Sequence, residues 1–232
     1  VCSHRLMSFK RLLKAMLGRD PWIRIDERVA VVRIGSDYGG WTIRPDRLRA
    51  HPVVYSAGVG MDVTFDLGVI ERFGAEVHAF DPTPRSLSWV QSQTFPGAFT
   101  FHPIGVADRD GELRFVPPED PTHVSYSASE SGTDAAIACP VERVGTIMRR
   151  LGHERLDVLK LDIEGSEYGV IADLAGSDLP IAQLLVEFHH GTGGYRVRDT
   201  VAAVALLRSA GFRLFHIAPS GREYSFWRPD AS

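Results

Sequence analysis

The sequence predicts an α/β domain: a mainly parallel sheet with helices on both faces, closed by an antiparallel C-terminal hairpin. Three observations carry that expectation. From Val53 onward short apolar runs alternate with helical patterns, the rhythm of a parallel sheet. The first run, Val53-Val54-Tyr55, stops at Gly58 and Gly60 and turns straight into a helix, as in the opening half of a nucleotide-binding unit. The chain ends in two apolar segments, 212–218 and 223–228, around Pro219-Ser220-Gly221, which makes the last strand antiparallel.

The 232 residues suffice for one domain with a sizeable core. A net charge of -3 gives no footprint for nucleic acid. Cys2 and Cys139 build no disulfide framework, so a reducing, cytoplasmic setting is expected. No apolar run approaches the roughly 20 residues that span a bilayer.

Residues 1–28 form an N-terminal amphipathic helix and a linker, ahead of one domain over 29–232. Within 5–17, Leu6, Phe9, Leu13, Met16 and Leu17 share a helical face, with Lys10, Arg11 and Lys14 elsewhere. Such a helix packs on the domain edge or lies on a membrane surface. Residues 30–43 read as a hairpin, either capping the sheet edge or walling the pocket. The strand at 53–57 leads to a helix at 62–73, and the strand at 76–81 to a helix at 84–93 that Thr83 or Pro84 begins. A third strand, 98–104, is followed by an antiparallel pair, 112–116 and 137–141. Between that pair, 117–133 is too long for a plain turn and reads as a substrate lid or a mobile loop. Helix 143–152, strand 156–163, helix 166–175, strand 181–188 and helix 198–210 complete the alternation.

Ligands of an open α/β sheet lie outside the carboxyl ends of its strands, and the polar clusters of this sequence fall there. Gly58 permits the sharp turn, and Gly60 lets a ligand approach bare backbone at the helix N-terminus. About twenty residues on, Asp81 can accept hydrogen bonds from both ribose hydroxyls, or cap the next helix. Ala107 and Asp108 end the third unit and either border an adenine or form a simple turn. Val63 stands where the dinucleotide fingerprint has its third glycine, and no lysine follows in P-loop spacing. A sheet closed by an antiparallel hairpin fits S-adenosylmethionine, which has no phosphate, better than a dinucleotide.

The segment Val158-Leu159-Lys160-Leu161-Asp162-Ile163-Glu164-Gly165-Ser166-Glu167 resembles the hallmark motif of the FkbM-type methyltransferase family. Val141 to Ile147 is similar to that family's lead-in helix, and Gly105 to Gly111 to its loop after the third strand. The resemblance covers roughly 50–218. It implies a Rossmann-like class I methyltransferase fold with a seven-stranded, mostly parallel sheet, S-adenosylmethionine as cofactor, and methyl transfer to a hydroxyl oxygen. Where many methyltransferases carry an acidic residue before the first glycine, this chain has Ser56-Ala57, and Asp62 is the stand-in for contacts to the methionine part.

The cofactor set is therefore Ser56, Gly58, Gly60, Asp62, Asp81, Ala107, Asp108 and Asp162, the last facing the cofactor ammonium. Glu164 steers or deprotonates the acceptor, and His189, with an ordinary pKa near 6.5, suits general-base work. Glu187 shares parity with His189, whereas His190 points the other way. Lys160 can instead form a structural ion pair with Asp162 or Glu164, and no ligand set is strong enough to assign a metal. The acceptor is a small molecule, glycan or secondary-metabolite hydroxyl. The alternatives are a binding protein that keeps an adenosine pocket without turnover, and a nicotinamide-dependent oxidoreductase.

Overall fold

The computed structural model describes residues 9–116, 127–128, 137–192 and 194–229. Its central sheet is built from β3 (Val53–Ala57), β4 (Glu76–Phe80), β5 (Phe99–His102), β10 (Leu156–Leu161), β11 (Ile181–Glu187), β12 (Arg213–Ile217) and β13 (Glu223–Trp227). The spatial order is β12-β13-β11-β10-β3-β4-β5. Only β13 runs against the rest, pairing antiparallel with both β11 and β12. This is the mainly parallel sheet with an antiparallel last strand that the alternation and the final hairpin predict, and it has the seven strands that the family resemblance implies.

The central strands β10 and β11 are buried almost throughout because both faces of the sheet are covered. One face carries α4 (Val144–Leu151), α5 (Glu167–Ala175) and α6 (Val197–Ser209), whose Ile147, Val170, Ile171, Val204 and Leu207 pack with Leu159, Leu161 and Leu184. The other face carries α2 (Thr64–Phe73) and α3 (Pro84–Gln91). Thr83 caps α3 by accepting a hydrogen bond from the Ser86 amide, and Pro84 stands at the first helical position.

The hairpin β1 (Val32–Ile34) and β2 (Trp41–Ile43) does not sit on a sheet edge. Trp41 and Ile43 are buried against Val54, Val158 and Leu185 in the middle of the sheet, on the α2 face. Polar ties fix it there: Gln183 exchanges two hydrogen bonds with the Arg44 backbone, and Ser225 donates to the Thr42 carbonyl. A short turn of 3-10 helix, Pro45–Arg47, leads on to β3.

Between β5 and α4 a small second sheet orders β6 (Gly105–Val106), β9 (Ile137–Glu142), β7 (Gly111–Val116) and β8 (Ser127–Ala128) around Ala107, Phe115, Cys139 and Val141. Apart from β8, the proposed lid segment 117–133 lies outside the described residues. The N-terminal helix α1 spans Phe9–Met16, and Leu6 lies outside the described residues. Leu13, Met16 and Leu17 are exposed, and a buried Arg11–Asp20 ion pair at 2.9 Å ties the helix to the segment that follows it. The linker then crosses β12, where the amides of Asp26 and Glu27 donate to the Leu214 carbonyl. Among the described residues no helix is long and apolar enough to cross a membrane.

Candidate active site

A cavity of about 700 Å³ opens over the carboxyl ends of β3, β4, β10 and β11, within the size range of small-molecule sites. Its floor is the turn after β3. Gly58 has φ +84° and so tight a seat that a Cβ would lie 1.7 Å from the Asp162 carbonyl oxygen. Gly60 has φ +54° and faces open space, so its backbone is bare toward the cavity.

Asp81 locks this turn. One carboxylate oxygen accepts from the amides of Val59 and Gly60, both at 3.1 Å. The other accepts from the Thr83 amide at 2.9 Å and its hydroxyl at 2.6 Å. Asp81 thus joins the glycine turn to the start of α3 while lining the cavity. Asp62 also lines it, and ties the hairpin to α2 by accepting from the Ser36 hydroxyl at 2.9 Å and the Thr64 amide at 2.8 Å. Burial works against its charge, but these bonds outweigh it and hold its carboxyl below the usual range.

Three expected cofactor contacts do not reach the cavity. Ser56 is fully buried beneath the turn, near the buried carboxyl of Asp66. Burial pushes the Asp66 pKa up, against the pull of Lys160. Ala107 is buried with its amide on the Glu142 carbonyl, and Asp108 is exposed beside Gly169 of α5. The cause is the pairing of β6 with β9, which carries the chain after Val106 away from the rim. Gly105, Val106 and Phe115 line the cavity in their place.

The far wall is acidic. β10 ends at Leu161, so Asp162, Ile163 and Glu164 lie in a turn instead of on an extended strand, with Glu164 at φ +53°. That turn is clasped by Glu167, fully buried in the first turn of α5. Its carboxylate accepts from the amides of Ile163 at 2.9 Å and Gly165 at 2.8 Å, and lies 2.8 Å from Nδ1 of His189. Nε2 of His189 in turn is 3.3 Å from Glu164 and 3.8 Å from Asp162. Burial alone would lower the His189 pKa, but the Glu167 bond and the charges of Glu167, Glu164 and Asp162 outweigh it and raise it to about 9. A pKa raised to about 9 favours the imidazolium at neutral pH over the neutral ring that an ordinary pKa suggested. His190 points away, toward Thr200.

Glu187 lines the same wall and faces Glu223 across the antiparallel β11–β13 pair. Burial, then the charge of Asp162, raises its pKa to about 7, with His189 opposing. Lys160 does not pair with Asp162 or Glu164. Its ammonium donates to the Gly58 carbonyl at 2.8 Å and the Ala57 carbonyl at 3.4 Å, beneath the Trp41 ring. Asp162, Glu164 and His189 also bring ligating atoms within 4.8 Å of one another, close enough for a divalent cation to replace the imidazolium proton.

Walling the pocket is one of the two roles that the sequence suggests for the hairpin, but it does not single out the residues that do so, Asp37, Tyr38 and Trp41, nor Glu223 and the clasp of Glu167. For Glu167 a signal existed, since it closes the 158–167 motif at the start of a helix. For the others none did, because long-range packing alone brings them in.

A mostly parallel seven-stranded sheet with one antiparallel strand, and a cavity over its strand ends floored by a glycine turn, define a Rossmann-like methyltransferase domain. The chain belongs to the FkbM methyltransferase family: the model described as "Methyltransferase FkbM domain" matches residues 32–214. It is similar to a probable methyltransferase-like protein 24 of Rattus norvegicus, 30% identical over 173 residues, and to that of Homo sapiens, 29% identical over 174 residues. Each match covers 70% of this chain and 42% of the relative, so the chain spans under half their length. It is also 25% identical over 197 residues to the 31-O-demethyl-FK506 methyltransferase FkbM of Streptomyces tacrolimicus, covering 71% of this chain and 74% of that one. Among solved structures, a TehB-like SAM-dependent methyltransferase from Corynebacterium glutamicum matches at a TM-score of 0.38 and 11% identity, covering 79% of this chain and 83% of that one.

Proposed function

We propose that this chain transfers a methyl group from S-adenosylmethionine to a hydroxyl oxygen of a small molecule or glycan. The observation that carries the reading is the charge of the cavity. Asp62, Asp81, Asp162, Glu164, Glu187 and Glu223 line it, while the one lysine among its described lining residues, Lys160, is spent on backbone carbonyls. A pyrophosphate would meet carboxylates there; a ligand with a sulfonium and an ammonium meets partners. This disfavours the nicotinamide alternative.

Gly58 and Gly60 would let the cofactor lie against backbone. Asp81 would turn lone pairs toward its ribose hydroxyls, and Asp162 would face its ammonium. When bound, the cofactor supplies an already activated methyl group. The remaining work of the protein is to orient the acceptor, exclude water and take a proton.

Glu187, poised near pH 7, is the proposed base, with Glu164 positioned to hold the acceptor hydroxyl. His189, as an imidazolium clamped by Glu167, fixes Glu164 and offsets the negative wall. The carboxylate-rich mouth suits a polyhydroxylated acceptor, whose hydroxyls donate. The Streptomyces relative, named for 31-O-demethyl-FK506, supports oxygen as the target atom. Transfer of labelled methyl from S-adenosylmethionine to a panel of hydroxylated acceptors tests the reading. Product dependent on Glu187 is expected, and cofactor binding without transfer to any acceptor would favour the binding-protein alternative.

A further inference from the structure

On the α4 side of the sheet, at the other end of β4 from the cavity, a second polar cluster gathers. Glu76 and His78 are two apart on β4 and share a face. His153, just past the end of α4, reaches across to them. Nε2 of His78 lies 3.0 Å and Nε2 of His153 lies 3.9 Å from the same Glu76 oxygen, and all three residues offer ligating atoms within 4.8 Å of one another.

Neighbours hold the other nitrogen of each ring. Nδ1 of His78 lies 2.9 Å from Nε2 of His102, and Nδ1 of His153 lies 2.7 Å from the Tyr55 hydroxyl. The Nε2–H of His78 donates to the Glu76 carboxylate; with Nδ1–H donated to the outer partners, a cation that displaces that proton meets an Nε2 lone pair on each ring. This is the outer-shell pattern of metal-ligating histidines. Tetrahedral zinc, with bonds of about 2.0–2.2 Å, separates its ligand atoms by roughly 3.3 Å, between the two distances seen here. The nearby cation, Arg150, is paired with Glu142 at 3.0 Å, so it does not claim Glu76.

We propose that Glu76, His78 and His153 form a binding site for Zn²⁺, which fastens the loop after α4 to the start of β4. Two imidazoles and one carboxylate are a borderline donor set that selects zinc over magnesium or calcium. Glu76 is more than half exposed, which leaves the fourth position to water. The site is structural: zinc bound only by the folded chain raises its stability.

The test is zinc binding to the full chain after chelator treatment, by competition with a chromophoric chelator, with Co²⁺ as a spectroscopic probe. The wild type is expected to take up zinc, to melt at a higher temperature with it, and to give the intense visible bands of tetrahedral cobalt. Glu76→Gln and His153→Gln should each weaken zinc by at least ~100-fold, and Tyr55→Phe, which removes only the ring's outer partner, by about 10-fold. Glu164→Gln, which alters the cavity cluster, should keep this zinc. Glu76→Gln changes an exposed side chain, so the result does not hinge on a variant that fails to fold. No zinc uptake by the wild type, or zinc lost in Glu164→Gln but kept in Glu76→Gln, would overturn the proposal.

Discussion

Nδ1 of His189 and the carboxylate of Glu167 meet at 2.8 Å, both buried, behind the wall of the cavity. Glu167 also receives the amides of Ile163 and Gly165, so one carboxylate sets both the turn that presents Asp162 and Glu164 and the charge of the ring behind them. Removing it leaves two amides and an imidazolium unsatisfied. Glu167→Ala should therefore destabilise the fold by about 3–5 kcal/mol, read in urea unfolding. Glu164→Gln, at a half-buried side chain, should leave stability near wild type and act on turnover.

The His189 pKa predicts how stability follows pH. It is raised from 6.5 to about 9 in the folded chain, so the stabilisation is fully present below 6.5 and lost as pH rises through 9. The loss is on the order of 3 kcal/mol. Thermal melts from pH 6 to 10 check it: the decline across that window should flatten in His189→Gln.

Turnover should follow Glu187. With its pKa raised to about 7, methyl transfer is expected to climb as pH passes through 7, when the carboxylate becomes available as a base. Glu187→Gln should reduce the rate by about 10²–10⁴-fold and erase that limb of the profile, while cofactor affinity changes little.

The glycine turn separates folding from binding. A methyl group at Gly58 would strike the Asp162 carbonyl, so Gly58→Ala should fold poorly. At Gly60 a Cβ meets nothing within 4 Å. Gly60→Ala should thus cost only about 1–2 kcal/mol for its left-handed backbone, yet weaken cofactor binding, which calorimetry would separate from stability.

These residues also show where the sequence was legible. The strand 53–57, its glycines and Asp81 follow from local pattern, and all keep their places because a strand–turn–helix unit is specified within some thirty residues. The final hairpin was readable for the same reason. Asp108 was misplaced because its position depends on β6 pairing with β9, a contact that no local pattern encodes. The hairpin's seat on the sheet face rests on Trp41 meeting Leu185, equally remote in the chain. The electrostatics were out of reach. That Glu187 faces Glu223, and that His189 is held charged, are products of packing which reverse the expectation drawn from an ordinary histidine pKa.

The proposed function requires the acidic cavity over the strand ends to receive a cationic, phosphate-free adenosine ligand. Calorimetric titration of the full chain with S-adenosylmethionine and, separately, with NAD tests it most directly. One equivalent of S-adenosylmethionine should bind, at least ~10-fold more weakly in Asp81→Asn because the turn loses its clasp, while NAD gives no heat. Binding of NAD in preference, or unchanged S-adenosylmethionine affinity in Asp81→Asn, would contradict it.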